Sequence, residues 1–115
     1  GHTTGHALEL KYGRRSHGEY VLIGMWLESV IAERENVSTA ENAARVRQLV
    51  ALAEKKIPTF QNVVSVVQYS LLDKKNSEKG VVSMILSKAR GEYTEYNLSA
   101  DRYAEYLAML QEKRS

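Results

Sequence analysis

The sequence predicts a mainly helical single domain with one small β-hairpin. Three observations carry this reading. Two S-x-x-E capping boxes, Ser16-His17-Gly18-Glu19 and Ser38-Thr39-Ala40-Glu41, each stand at the head of a long segment. Apolar residues recur at helical spacing through most of the chain. Two short runs, 81–87 and 92–97, read as strands on either side of Arg90-Gly91.

In chain order, residues 1–12 form a short helix. Leu8 and Tyr12 share a face with Thr4, and Gly13 is placed to cap its C-terminus. Ser16 caps the next helix, 17–36, with Glu19 reaching back to complete the box. That helix starts apolar on nearly every side, at Val21, Leu22, Ile23, Met25, Trp26 and Leu27, and turns polar at Glu33, Arg34 and Glu35. Part of so apolar a surface is expected to lie against another domain or subunit, leaving this chain prone to self-association by itself. Ser38 opens a third helix to about Lys55, with Val46, Leu49, Val50 and Ala53 on its buried face. The one proline, Pro58, punctuates the middle of the chain. Phe60 to Leu72 is rich in β-branched residues, but Phe60, Val63, Val64, Val67 and Leu71 fit helical spacing and each doubled Val breaks alternation. After the hairpin, Ser99 caps a last helix that carries Asp101 in its first turn and runs to about Lys113.

Composition narrows the function. With 115 residues the chain is one domain, long enough to bury a core without staples. Sixteen Lys+Arg against 14 Asp+Glu leave a net charge of +2, too small for a protein that lives on phosphate backbones, so nucleic acid is disfavoured. Cysteine is absent, which removes disulfides, thiolate metal sites and cysteine nucleophiles and points weakly to a reducing compartment; the cytoplasm is the expected location. No apolar run approaches the length of a membrane span. The start, Gly1-His2-Thr3-Thr4, has neither an initiator Met nor a signal-peptide layout, and reads as a cut within a longer chain.

All three histidines fall in the first 17 residues. His2 and His6 are one helical turn apart on one face. His17 stands at a helix N-terminus, where the dipole disfavours the protonated ring and keeps a lone pair free for a cation. An i,i+4 pair of histidines alone is as compatible with incidental surface residues as with zinc or iron. Glu9 and Glu19 are the acids nearby; Glu19 is engaged by its cap, and Glu9 reads as a partner that orients a ligand. Lys74 and Lys75, in Asp73-Lys74-Lys75-Asn76, read by themselves as a solvated turn.

The wording of these segments is more specific than their spacing. Gly-His-Thr-x-Gly-His-Ala-x-Glu, followed by His-Gly-Glu-x-Val-x-x-Gly-Met, resembles the start of the C-terminal domain of the 3-dehydroquinate synthases and related sugar-phosphate cyclases. Asp73-Lys74-Lys75-Asn76, then Gly80, the apolar strand Val81 to Leu86 and Gly91, agrees with it over the rest of the chain. Iron-dependent alcohol dehydrogenases share a looser two-histidine pattern without the Asp-Lys-Lys block. Thr4 departs from a usual apolar residue, Tyr20 from a usual small one, and the stretch from His6 to His17 is shorter than in many members.

The resemblance implies the helical C-terminal domain of the dehydroquinate synthase-like fold. It implies zinc on His2 and His17, with a third ligand, a glutamate, upstream of Gly1. It makes His6 the residue that helps move a substrate proton and Lys74 the residue that binds the substrate phosphate, with Lys75 as the adjacent alternative. The reaction it implies is closure of a seven-carbon keto-acid sugar phosphate to 3-dehydroquinate with loss of phosphate, on the shikimate route. NAD is oxidant and then reductant. The seven glycines form no G-x-G-x-x-G and no βαβ pattern is present, so the NAD-binding domain is expected upstream and this chain alone is expected to be inactive. A homodimer is also implied. Two other readings stay open: a sister cyclase or metal-dependent polyol dehydrogenase, and a non-enzymatic helical binding module whose histidines are incidental.

Overall fold

The computed structural model describes residues 2–53, 57–71 and 80–111. It is mainly helical with one antiparallel hairpin, as the sequence predicts. Helix α1 spans His2–Tyr12 and ends at Gly13, whose φ of +65° is the left-handed conformation that a C-terminal cap requires. Helix α2 spans His17–Arg34, and the Ser16 side chain accepts the Glu19 backbone N–H at 3.2 Å. The other half of that box does not form among the described residues: the Glu19 carboxylate lies 3.7 Å from Arg15 instead. The two helices cross at Gly5. A Cβ there would stand 2.6 Å from the Tyr20 carbonyl oxygen, so only glycine allows the approach.

Helix α3 spans Ala40–Ala53. Its cap is Thr39, whose Oγ1 accepts the Asn42 N–H at 3.1 Å, not Ser38. Ser38 is buried and accepts a hydrogen bond from the Asn42 side-chain amide, so its hydroxyl is engaged inside the domain. The buried stripe runs through Asn42, Ala43 and Val50, whereas Leu49 and Ala53, expected inside, are exposed. The helix meets the core along a narrow line, so a rotation of one residue moves Leu49 out.

The segment expected as a helix over 60–72 is shorter. Phe60 pairs with Gln111 in an isolated parallel bridge, and Asn62 takes a left-handed turn (φ 56°). A 3₁₀ turn, Val63–Val66, then leads into helix α4, Val67–Ser70. Phe60, Val63 and Val66 are buried, so the apolar spacing holds while the backbone that carries it differs. Strands β1 (Val81–Ala89) and β2 (Glu92–Ser99) pair antiparallel around Arg90-Gly91, with a bulge between Ser87 and Ala89. They are longer than read from the sequence. Ser99 caps helix α5 (Ala100–Leu107) by accepting the Arg102 N–H at 3.2 Å. A 3₁₀ turn, Ala108–Leu110, ends the helical path before Lys113, because Gln111 turns extended to meet Phe60.

One core unites these elements. Leu8 of α1, Tyr20, Ile23, Leu27 and Ile31 of α2, Val82, Met84 and Leu86 of β1, and Tyr103 and Leu107 of α5 are all buried within it. Val21, Leu22, Met25 and Trp26 are half-buried, and no large apolar side chain of α2 is exposed. Helix α2 is thus covered on most sides by α1, α3 and the hairpin, with Val21, Leu22, Met25 and Trp26 left partly open. No helix among the described residues is long and apolar enough to cross a membrane.

Candidate metal centre

His2, His6 and Glu9 stand at i, i+4 and i+7 on α1, one stripe along that helix. The crossing at Gly5 brings the first residue of α2, His17, over this stripe. The His2 and His17 rings lie 6.2 Å apart, centre to centre, and are tilted by 52°. His17 Nδ1 lies 2.8 Å from Glu9 Oε1. His6 is exposed, one turn along from His2.

The donors fit a divalent cation. Two imidazoles bound to one ion through metal–nitrogen bonds of about 2.1 Å have ring centres at most roughly 6.5 Å apart, and about 5.3 Å apart at a tetrahedral angle. The observed pair stands about 1 Å wider than the tetrahedral spacing, so the two rings would draw together on an ion. Among the described residues no three His, Asp or Glu side chains are arranged to chelate one ion, so His2 and His17 could offer two ligands and no third. Lys74 and its neighbours fall outside the described residues.

A buried polar group beneath α1 holds the other side of the stripe. The Thr4 N–H donates to Glu28 Oε2 at 3.0 Å, and the Thr4 hydroxyl lies 2.7 Å from the Tyr103 hydroxyl. Burial drives the Tyr103 hydroxyl far above the usual tyrosine range and the charge of Glu28 adds to this, while hydrogen bonds to Thr4 and Ser70 act against it. Tyr103 therefore stays neutral and can donate. Sequence reading missed this group. The available signal was Glu28 itself, a lone acid within the apolar run of α2 and in helical register with Gly24 and Ile31. The two departures noted in the motif are both used: Thr4 meets Tyr103, and the buried Tyr20 hydroxyl accepts the Arg14 N–H at 3.2 Å, tying down the short α1–α2 loop.

Residues 1–76 match the family described as 3-dehydroquinate synthase C-terminal. Among curated proteins the chain is similar to the 3-dehydroquinate synthase of Geobacter metallireducens, 36% identical over 99 residues, which cover 82% of this chain and 27% of that one. It is 37% identical to that of Clostridium perfringens over 106 residues, 88% of this chain and 29% of the relative. With that of Alkaliphilus metalliredigens it shares 25% over 109 residues, 93% and 31% of the two chains. The matched region spans between a quarter and a third of these relatives' length.

Proposed function

The chain belongs to the 3-dehydroquinate synthase C-terminal family, and from that premise we propose that it is the metal- and substrate-binding part of a 3-dehydroquinate synthase. The whole enzyme would close a seven-carbon keto-acid sugar phosphate to 3-dehydroquinate with loss of phosphate, in the cytoplasm and as a homodimer. An NAD-binding domain from the rest of the enzyme completes the site. The observation that supports this reading best is the pairing of the His2 and His17 rings at 6.2 Å on two helices locked together at Gly5.

Within this proposal each side chain has a task. His2 and His17 hold zinc from adjacent helix starts. When bound, zinc supplies Lewis-acid polarisation of a substrate hydroxyl and NAD supplies reversible hydride transfer. His6 is exposed on the same stripe as His2 and serves the substrate proton as acid or base, for which it must come within about 3 Å of the hydroxyl or a bridging water. Lys74 offers a compact positive charge to the leaving phosphate. His2 and His17 lie on two helices of one core, so their separation is set by packing before substrate arrives.

The test is metal content and turnover in the full-length enzyme. His2→Ala and His17→Ala should each lose zinc and zinc-dependent turnover. Normal values in both variants would remove the metal assignment. Lys74→Ala should raise KM for phosphorylated substrate roughly tenfold or more, the value of one charge-assisted contact, and leave NAD affinity unchanged. Unchanged KM and kcat would return Lys74 to a solvated turn.

A further inference from the structure

Resting on the reading of His2 and His17 as metal ligands, we propose that Glu9 is a positioning residue, which decides which nitrogen of His17 faces the metal. A neutral imidazole carries one N–H and one lone pair, and the hydrogen bond made by one nitrogen settles the role of the other. Glu9 Oε1 lies 2.8 Å from His17 Nδ1. A carboxylate can only accept, so the proton sits on Nδ1 and the lone pair on Nε2. His17 has need of such a partner. Its side chain is 61% exposed, at the first position of α2, and little else restrains its ring. Glu9 is more sheltered, at 33%.

The layout couples the two ligands through one helix. Glu9 lies seven residues after His2, on the same stripe of α1. That helix thus carries both the first ligand and the acceptor that aims the second. The crossing at Gly5 sets the distance between them, and Glu9 sets the orientation. The carboxylate also places negative charge beside the ring and strengthens it as a ligand. Partners of this kind are worth about 10–100-fold in metal affinity.

Two measurements test the proposal. The first is imidazole nitrogen NMR of the chain itself, without metal. Neutral His17 should show the Nδ1–H form in the parent sequence and in Glu9→Gln, whose amide oxygen still accepts, and should lose it in Glu9→Leu. The second is zinc affinity of the full-length enzyme, by competition with a chelator. Glu9→Leu should bind zinc about 10–100-fold more weakly, while Glu9→Gln should keep most of the affinity. Unchanged affinity in Glu9→Leu overturns the proposal, as does an equal loss in both variants, which would leave charge alone as the cause. Failure of the underlying metal reading looks different: His17→Ala would then bind zinc as tightly as the parent, whatever Glu9 does. Circular dichroism of each variant identifies any loss that comes from unfolding.

Discussion

Gly5 shows how much of the site rests on one missing methyl group. Gly5→Ala would put a Cβ 2.6 Å from the Tyr20 carbonyl oxygen and 3.1 Å from the Val21 Cα, both backbone atoms that cannot swing away. The helices must part, at a cost of roughly 1–3 kcal/mol, and the same displacement draws His17 away from His2. Thermal melts should show the loss in the chain, and zinc affinity of the full-length enzyme should fall with it. Gly18→Ala is the control. Nothing lies within 4 Å of that added Cβ, and Gly18 is inside α2, so the change should be neutral or stabilise by up to about 1 kcal/mol. Equal damage from both would detach the crossing from the site. The histidines stood out in the sequence through the wording of their motifs more than through spacing, which placed only His2 and His6 on one face and is as compatible with incidental surface residues. The role of Gly5 was not legible there, since close approach depends on which helix crosses it. Nor was the contact of Thr4 with Tyr103, 99 residues away in sequence.

At the scale of elements, Glu35 joins three of them. It ends α2, and its side chain, 5% exposed, accepts hydrogen bonds from Tyr96 of β2 and Tyr106 of α5, each at 2.7 Å, and from Arg102 of α5. Burial raises the Glu35 carboxyl, but the two tyrosine hydrogen bonds and the charge of Arg102 outweigh it and hold it below its ordinary value of 4.5. A carboxyl depressed in the folded state stabilises the fold fully above its unfolded value. That contribution is lost as pH falls through the folded one. Acid should therefore destabilise the chain progressively below about pH 4.5, and Glu35→Gln should flatten that limb of the stability profile. Glu35→Ala, which strands both tyrosine hydroxyls, should cost roughly 1–3 kcal/mol at neutral pH by urea denaturation. An acid limb identical in Glu35→Gln would shift the cause to other carboxylates. The helices and the hairpin were readable from caps, spacing and Arg90-Gly91. The misplaced features share one physical origin: at Thr39, Leu49 and Phe60, tertiary partners outvoted local preference. Asn42 draws Ser38 inside, the margin of the core leaves Leu49 out, and Gln111 holds Phe60 in an extended bridge.

Over the whole molecule, the question is whether these elements fold as one unit. The Cα radius of gyration is 13.4 Å, and a compact domain of this length has a radius of about 13 Å. Among the described residues, α1, α2 and α5 contribute to the cluster of buried side chains that includes Leu8, Ile31, Val66, Met84 and Leu107, Val67 and Tyr69 of α4 pack against it, and α3 is fastened to it through Asn42, whose amide also donates to Ser87 Oγ at 3.1 Å. An apolar helix wrapped in this way has little to gain from a second copy. The chain should therefore unfold in one step, with helical circular dichroism and Trp26 fluorescence tracing the same curve. Trp26 emission should not move across a concentration series. Leu27→Ala, at a site with no exposure, should cost about 2–5 kcal/mol. That is a large share of the 5–15 kcal/mol typical of a whole domain, so both probes should shift together to lower denaturant. Separated transitions would mean that α1 and α2 hold their crossing independently of the hairpin and α5. A concentration-dependent Trp26 spectrum would mean that α2 is covered from outside the domain after all.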